Sequence, residues 1–342
     1  KEMGIDEALV GDFGYYPPLI EKAAQKVAEQ MDNEANLIGL TGDRMSYCND
    51  GFGILSYIVG KVSGESSFNQ YVLKNILAPL SMDRSCCDFI RPAMDENSAE
   101  LYYFENGEKL HSKDYHNNAF ALNGAGSMKS TLGDMVKYIS MWLNGGEGLN
   151  GERIISQYGI REILKPRQYY SPDAFYGYGL INRRFHDITT FEHSGGLPGV
   201  SSYMCWSYDI DMGIIVLCNT DNVAAGAVAD LALCLITGKE IAFTRHNIEE
   251  ICWSRDFIGK IQGEYPSNDG MNLKISYDDG LKLHYNGGIF DISPIASHKA
   301  LVRTKFSDRF LEILEDEERG VWAVRFGSSI FPKKHDMGAV YE

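Results

Sequence analysis

The chain is short of positive charge: 32 lysines and arginines stand against 47 aspartates and glutamates, a formal net charge of −15. Binding to phosphates needs a basic face, so nucleic acid is not an expected partner. Long apolar runs are missing too. None reaches 18 residues, so no segment is expected to cross a membrane as a helix. There is no C-x-x-C among the seven cysteines, Cys48, Cys86, Cys87, Cys205, Cys218, Cys234 and Cys252. Their odd number and the adjacent pair argue against a disulfide framework or a zinc site. Most lie in apolar surroundings and read as small buried hydrophobes, which leans the localisation towards the cytoplasm; a targeting signal upstream of Lys1 would instead make it periplasmic or secreted. H-E-x-x-H, Walker A and G-x-S-x-G are all absent, and the eight histidines show no metal-ligand spacing. No metal or organic cofactor is expected. Gly146-x-Gly148-x-x-Gly151 matches a dinucleotide fingerprint by letters, but it follows a helix pattern where the fingerprint must follow a strand.

What is present is a globular composition, 44% hydrophobic over 342 residues, which is enough for two domains. A helix is expected from Pro18 to about Met31, then a turn at Gly42-Asp43. Phe52, Leu55, Ile58, Val59 and Val62 share one helical face, and Ser63-Gly64 stops that helix. A second helix carries Phe68, Val72, Leu73 and Ile76 and ends at Pro79. Residues 83–123 read as irregular, with Tyr102–Phe104 a short strand. Thr131 with Asp134 is a capping arrangement for a helix that closes at Asn144-Gly145-Gly146.

From about Tyr176 the period changes. Tyr178–Phe185, Thr189–His193, Val200–Trp206 and Gly213–Cys218 read as an antiparallel meander, followed by a helix over Val223–Ile236. Beyond Phe257 the pattern is β throughout, with a hairpin signal at Leu273–Tyr277, Asp279-Gly280 and Leu281–Tyr285. The expectation is an α+β domain over residues 1–245 and a small all-β domain over residues 257–342.

Two short patterns carry chemistry together. One is Tyr47-Cys48-Asn49, immediately before the helix that begins near Phe52. The other is His193-Ser194-Gly195-Gly196. A second Y-x-N, Tyr115-His116-Asn117, reads as polar loop. In its context the first pattern resembles the serine β-lactamase and penicillin-binding-protein superfamily, in the branch that holds class C β-lactamases, D-aminopeptidases and esterases. The likeness runs in family order through Ile76–Met82, Gly124–Asp134, His193–Gly199 and Val216–Asn219, spanning roughly residues 35–240. It implies a β-lactamase/transpeptidase-like antiparallel sheet with a helical lobe. The β-domain after residue 257 resembles a C-terminal accessory domain of some members.

The resemblance assigns roles by position. Tyr47 would shuttle a proton between the nucleophile, a lysine and the leaving group; Asn49 would orient that lysine and hydrogen-bond substrate. His193-Ser194-Gly195 matches the third motif, K-T-G in most β-lactamases. Ser194 and Gly195 would line the bound substrate, and the Gly196 N–H would be an oxyanion donor. A tyrosine of ordinary pKa, about 10, is a poor base at neutral pH, so a nearby cation or a relay is required. The alternative for His193–Gly196 is a mere bend between strands.

One element of the family is missing. No lysine anywhere has a serine three residues before it, so the nucleophile motif S-x-x-K is absent. Two explanations compete: the catalytic serine and two strands of the sheet precede Lys1, or the chain is a serine-less relative used for binding. The first is favoured, and on that reading the 342 residues alone are catalytically silent and prone to aggregate through an uncovered sheet edge. The expected partner is a small-molecule or peptide-like substrate, with the oligomeric state open. The leaning is towards a D-amino-acid peptidase or an esterase.

Overall fold

The structure, a computed structural model, describes residues 42–87, 90–105, 107–112, 123–221, 223–240, 248–266, 272–304 and 308–334. The helix expected at Pro18–Met31 and the second Y-x-N at Tyr115 lie outside these residues. The chain divides into two compact units. The first holds residues 48–167 and 173–239; the second gathers residues 42–47, 168–172 and 240 onward.

Side-chain caps set the helices of the first unit. Helix α1 (Asn49–Val62) starts at Cys48, whose Sγ accepts from the Gly51 N–H at 3.3 Å. Helix α2 (Phe68–Val72) is capped by Ser67, continues as a π-helical turn over Leu73–Leu77, and stops before Pro79. Short helices α3 (Ile90–Met94) and α4 (Asn123–Gly126) follow. Helix α5 (Leu132–Leu143) has Thr131 as its cap, accepting from the Asp134 N–H at 3.3 Å. The Asp134 carboxylate in turn accepts from the Arg84 N–H, the Ser85 hydroxyl and Lys137, tying the start of α5 to the distant segment at Arg84-Ser85. Helices α6 (Gln157–Ile163) and α7 (Ala225–Thr237) complete the set.

The segment expected to be irregular holds a hairpin, β1 (Leu101–Glu105) with β2 (Glu108–Ser112). The meander of the first unit is β4 (Ala174–Tyr176), β5 (Ile181–Phe185), β6 (Ile188–Leu197), β7 (Val200–Ser207) and β8 (Met212–Cys218), each antiparallel to the next. The expected strand start at Tyr178 is corrected to Ile181. Residues 177–180 form a turn closed by the Gly177 N–H to Leu180 C=O bond of 2.7 Å. Period-two alternation along β7 splits its side chains between two cores. Met204 and Trp206 face α5, where Trp206 stacks on Trp142 at 5.1 Å; Tyr203 and Cys205 face Ala229 and Leu233 of α7. Helices on both faces of an antiparallel sheet make this an α+β unit.

The second unit begins with residues 42–47 and β3 (Gln168–Ser171) and continues in the C-terminal part of the chain. Helix α8 (Arg255–Ile261) corrects the expectation of strand throughout: Ser254 caps it, and no period-two alternation exists before Gly263. Strands β9 (Gly263–Pro266), β10 (Asn272–Asp278), β11 (Gly280–Tyr285), β12 (Gly288–Ala296), β13 (Lys299–Arg303), β14 (Asp308–Asp316), β15 (Gly320–Phe326) and β16 (Ser329–Pro332) form one eight-stranded antiparallel sheet in sequence order. Its ends approach each other, with the Lys334 N–H donating to Glu264 C=O at 2.8 Å, so the sheet curls into a barrel-like form. Alternate residues Leu273, Ile275, Leu283, Val302, Leu311, Val324 and Phe331 fill it. A smaller cluster, Leu314, Trp322, Ala323 and Ile330, lies apart from that core.

Candidate active site

Tyr47 and Asn49 flank a helix start. Because Cys48 keeps an extended backbone (φ −141°, ψ 100°) and caps α1, Asn49 is the first helical residue and Tyr47 stays outside the helix. Asn49 is exposed and Tyr47 half-buried. Tyr47 belongs to the second unit, where its N–H donates to Ser328 C=O at 2.8 Å. Burial, and then the neighbouring Tyr170 phenol, push the Tyr47 phenol above the usual tyrosine value.

His193, Ser194, Gly195 and Gly196 are contiguous in strand β6, which extends to Leu197 where the sequence pattern ended it at His193. They are strand, not a bend. Pairing with β5 stops at Glu192, whereas pairing with β7 continues to Leu197 opposite Val200. Residues 193–197 therefore have one edge that no described strand covers. The two-residue turn Pro198-Gly199 makes Leu197 and Val200 a hydrogen-bonded pair. Strict alternation then turns the N–H and C=O groups of Gly196 and Ser194 to the uncovered edge. The bond between His193 Nδ1 and Ser194 C=O, at 2.7 Å, agrees with that orientation. A carbonyl can only accept, so Nδ1 carries the proton and Nε2 is the acceptor in the neutral ring. Burial holds the imidazole below the usual histidine value, against the opposing pull of the Ser194 carbonyl and the Glu192 charge.

Two glycines in this strand differ. A Cβ on Gly195 would lie 2.4 Å from the Ser202 hydroxyl, while one on Gly196 would meet nothing within 4 Å. Gly195 thus allows close cross-strand approach, and the space above Gly196 is open to a ligand.

The turn at residues 176–180 touches both regions of the first unit. The Tyr176 ring stands edge-on to His193 at 6.4 Å between centroids. A Cβ on Gly179 would lie 3.6 Å from the Phe52 ring in the first turn of α1. Asn49 and His193 are in this way referred to one rigid turn. Its Gly177 has no room for a side chain, because a Cβ would sit 2.8 Å from Ile163 C=O. Sequence reading passed over Tyr176, Tyr170 and Ser328. The density of tyrosines at Tyr169, Tyr170, Tyr176 and Tyr178 was the available signal, but nothing in the pattern placed them. Among the described residues no group of three or more His, Cys, Asp or Glu could hold a metal ion. No described helix is long and apolar enough to cross a membrane.

The family profile described as Beta-lactamase matches residues 12–237. No curated protein sequence matches the chain. Among solved structures, an octameric penicillin-binding protein homologue from Pyrococcus abyssi is 21% identical with a TM-score of 0.59, over 95% of this chain and 73% of its own. A structure of SurE is 15% identical with a TM-score of 0.68, over 94% of this chain and 74% of its own. At these identities the likeness is one of fold.

Proposed function

The chain belongs to the β-lactamase family, and from that premise we propose that it is a serine hydrolase, cleaving an amide or ester bond through an acyl-enzyme, whose nucleophilic serine lies outside these 342 residues. The observation that carries the proposal is the uncovered edge of His193–Leu197. A carbonyl substrate laid along that edge meets the Gly196 N–H as an oxyanion donor, and preorganised backbone donors of this kind supply much of the stabilisation in acyl transfer. Ser194 and Gly195 line the same strand and bind the substrate backbone.

The remaining roles follow the residues' own chemistry. Tyr47 passes the proton from nucleophile to leaving group. With its pKa raised by burial and by Tyr170, it works as a relay or beside a cation, not as a free phenolate. Asn49, exposed at the head of α1, offers an amide donor and acceptor to substrate and to that cation. His193 is neutral near pH 7 and offers Nε2 as an acceptor where most β-lactamases of the family carry a lysine. That difference favours a D-amino-acid peptidase or esterase over an efficient β-lactamase.

A second reading is a non-catalytic binding or sensor domain on the same scaffold, and the absence of S-x-x-K favours it. Expression of the full coding region and treatment with a fluorescent penicillin or fluorophosphonate separates the two. Covalent labelling that is lost in Tyr47→Phe is the expected result. A full product without S-x-x-K and without labelling removes the hydrolase reading and leaves the binding domain.

A further inference from the structure

Tyr47 precedes the Cys48 cap of α1 and belongs with the second unit. The second unit supplies four contacts to its segment. Gln168 Nε2 donates to Gly42 C=O at 2.7 Å, and the Arg44 guanidinium lies over the Trp322 ring at 5.6 Å. The Ile330 N–H donates to Ser46 Oγ at 3.2 Å, and the Tyr47 N–H donates to Ser328 C=O at 2.8 Å. Ser328 and Gly327 are the two-residue turn between β15 and β16, with Phe326 paired to Ser329 and Gly327 at φ +60°. A tight turn of this kind, with glycine at its first central position, leaves little freedom to the carbonyl that Tyr47 uses. The Leu314, Trp322, Ala323 and Ile330 cluster packs the base of the same hairpin.

We infer that the last hairpin of the C-terminal barrel is the positioning element for Tyr47, with Ser46 and the Gly327-Ser328 turn as its positioning residues. The inference rests on the acyl-transfer role proposed for Tyr47. Two hydrogen bonds on consecutive residues, Ser46 and Tyr47, fix both the position and the rotation of the Tyr47 backbone. The side chain's reach is then set by one rotor pair. Tyr170, also carried by the second unit, adds to burial in raising the Tyr47 phenol above the usual tyrosine value.

The test uses Ser46→Ala, which removes the acceptor for the Ile330 N–H, Gly327→Val, which strains the turn, and Ser46→Thr, which keeps the hydroxyl. Acylation by the fluorescent probe is measured on the product of the full coding region. The expected result is a maximal rate at least about tenfold lower in the first two variants, with the half-saturating probe concentration changed less than about twofold and recovery in Ser46→Thr. In parallel, tyrosine ring carbons are labelled and the Tyr47 signal, assigned by its loss in Tyr47→Phe, is followed in each variant. A Tyr47 signal that shifts or broadens in Ser46→Ala and returns in Ser46→Thr supports the inference. An unchanged Tyr47 signal together with unchanged acylation overturns it. Absence of acylation in the unsubstituted protein speaks against the catalytic reading instead, and the ring-carbon signal still reports on the positioning.

Discussion

Arg183 grips Glu192 through its Nε–H, at 2.9 Å from each carboxylate oxygen, while its Nη2 reaches Asp230 of α7 at 2.6 Å. Glu192 is the last residue of β6 that pairs with β5, and the next residue is His193. The ion cluster thus sits where the strand leaves its neighbour and becomes an open edge.

Arg183→Met is expected to destabilise the first unit by about 3–5 kcal/mol, because it leaves a buried carboxylate at Glu192 without its counter-ion. Glu192 also accepts from the Thr190 hydroxyl at 2.9 Å, which is too little to hold the charge alone. Glu192→Gln should cost less, since the amide still accepts from Arg183. Urea unfolding of both variants checks this. Equal and small losses would mean that the cluster is solvated in solution.

Gly124 packs α4 against α1 so closely that a Cβ there would lie 2.5 Å from Phe52 C=O and 2.8 Å from the Ser56 Cβ. Gly124→Ala should cost about 1–3 kcal/mol through overpacking. Gly126→Ala, two residues on and with nothing within 4 Å, should stay within about 0.5 kcal/mol. Comparison of their denaturation midpoints decides it; a Gly124→Ala protein as stable as the parent would refute the close approach.

The difference between Gly124 and Gly126 also marks what the sequence could tell. Both appear in a run legible as a family segment, but the letters do not say which glycine a neighbouring helix crosses. Caps, turns and alternation are local, so Thr131 with Asp134 at the start of α5, Asp279-Gly280 in a hairpin and the β7 strand were all readable. The α8 helix was missed because seven residues give barely two turns of period. The continuation of β6 past His193 was missed because two glycines carry no pattern. The pairing of Tyr47 with Ser328 joins residues 281 positions apart, and no local signal encodes it.

His193 makes stability depend on pH in a stated direction. Its folded-state pKa lies below the unfolded value of about 6.5, chiefly through burial, so the unfolded chain takes up the proton more readily. The neutral ring's contribution is complete above the unfolded pKa and is lost as pH falls from there towards the folded one. His193→Asn should therefore flatten the fall in Tm between pH 7.5 and pH 5. Identical pH slopes in parent and variant would show that the ring protonates freely in the folded state.

Strand β8 ends the meander of the first unit, and among the described residues no further strand pairs with its outer edge. Its sequence, Met212–Cys218, is apolar and free of proline, with Leu217 47% exposed. Beside it, α7 shows Val228, Leu231 and Leu235 to solvent at helical spacing. An uncovered apolar edge next to an apolar stripe invites pairing with another chain. Leu217→Lys should slow aggregation of the 342-residue chain at 37 °C, followed by light scattering, while its unfolding free energy changes by no more than about 0.5 kcal/mol. Leu217 shares the α5 face with Ile215 but stands 47% exposed near the end of the strand, so a charge there opposes strand addition at little cost to the packing. If Leu217→Lys aggregates at the parent's rate, association runs through another surface, and the α7 stripe is the next to be charged.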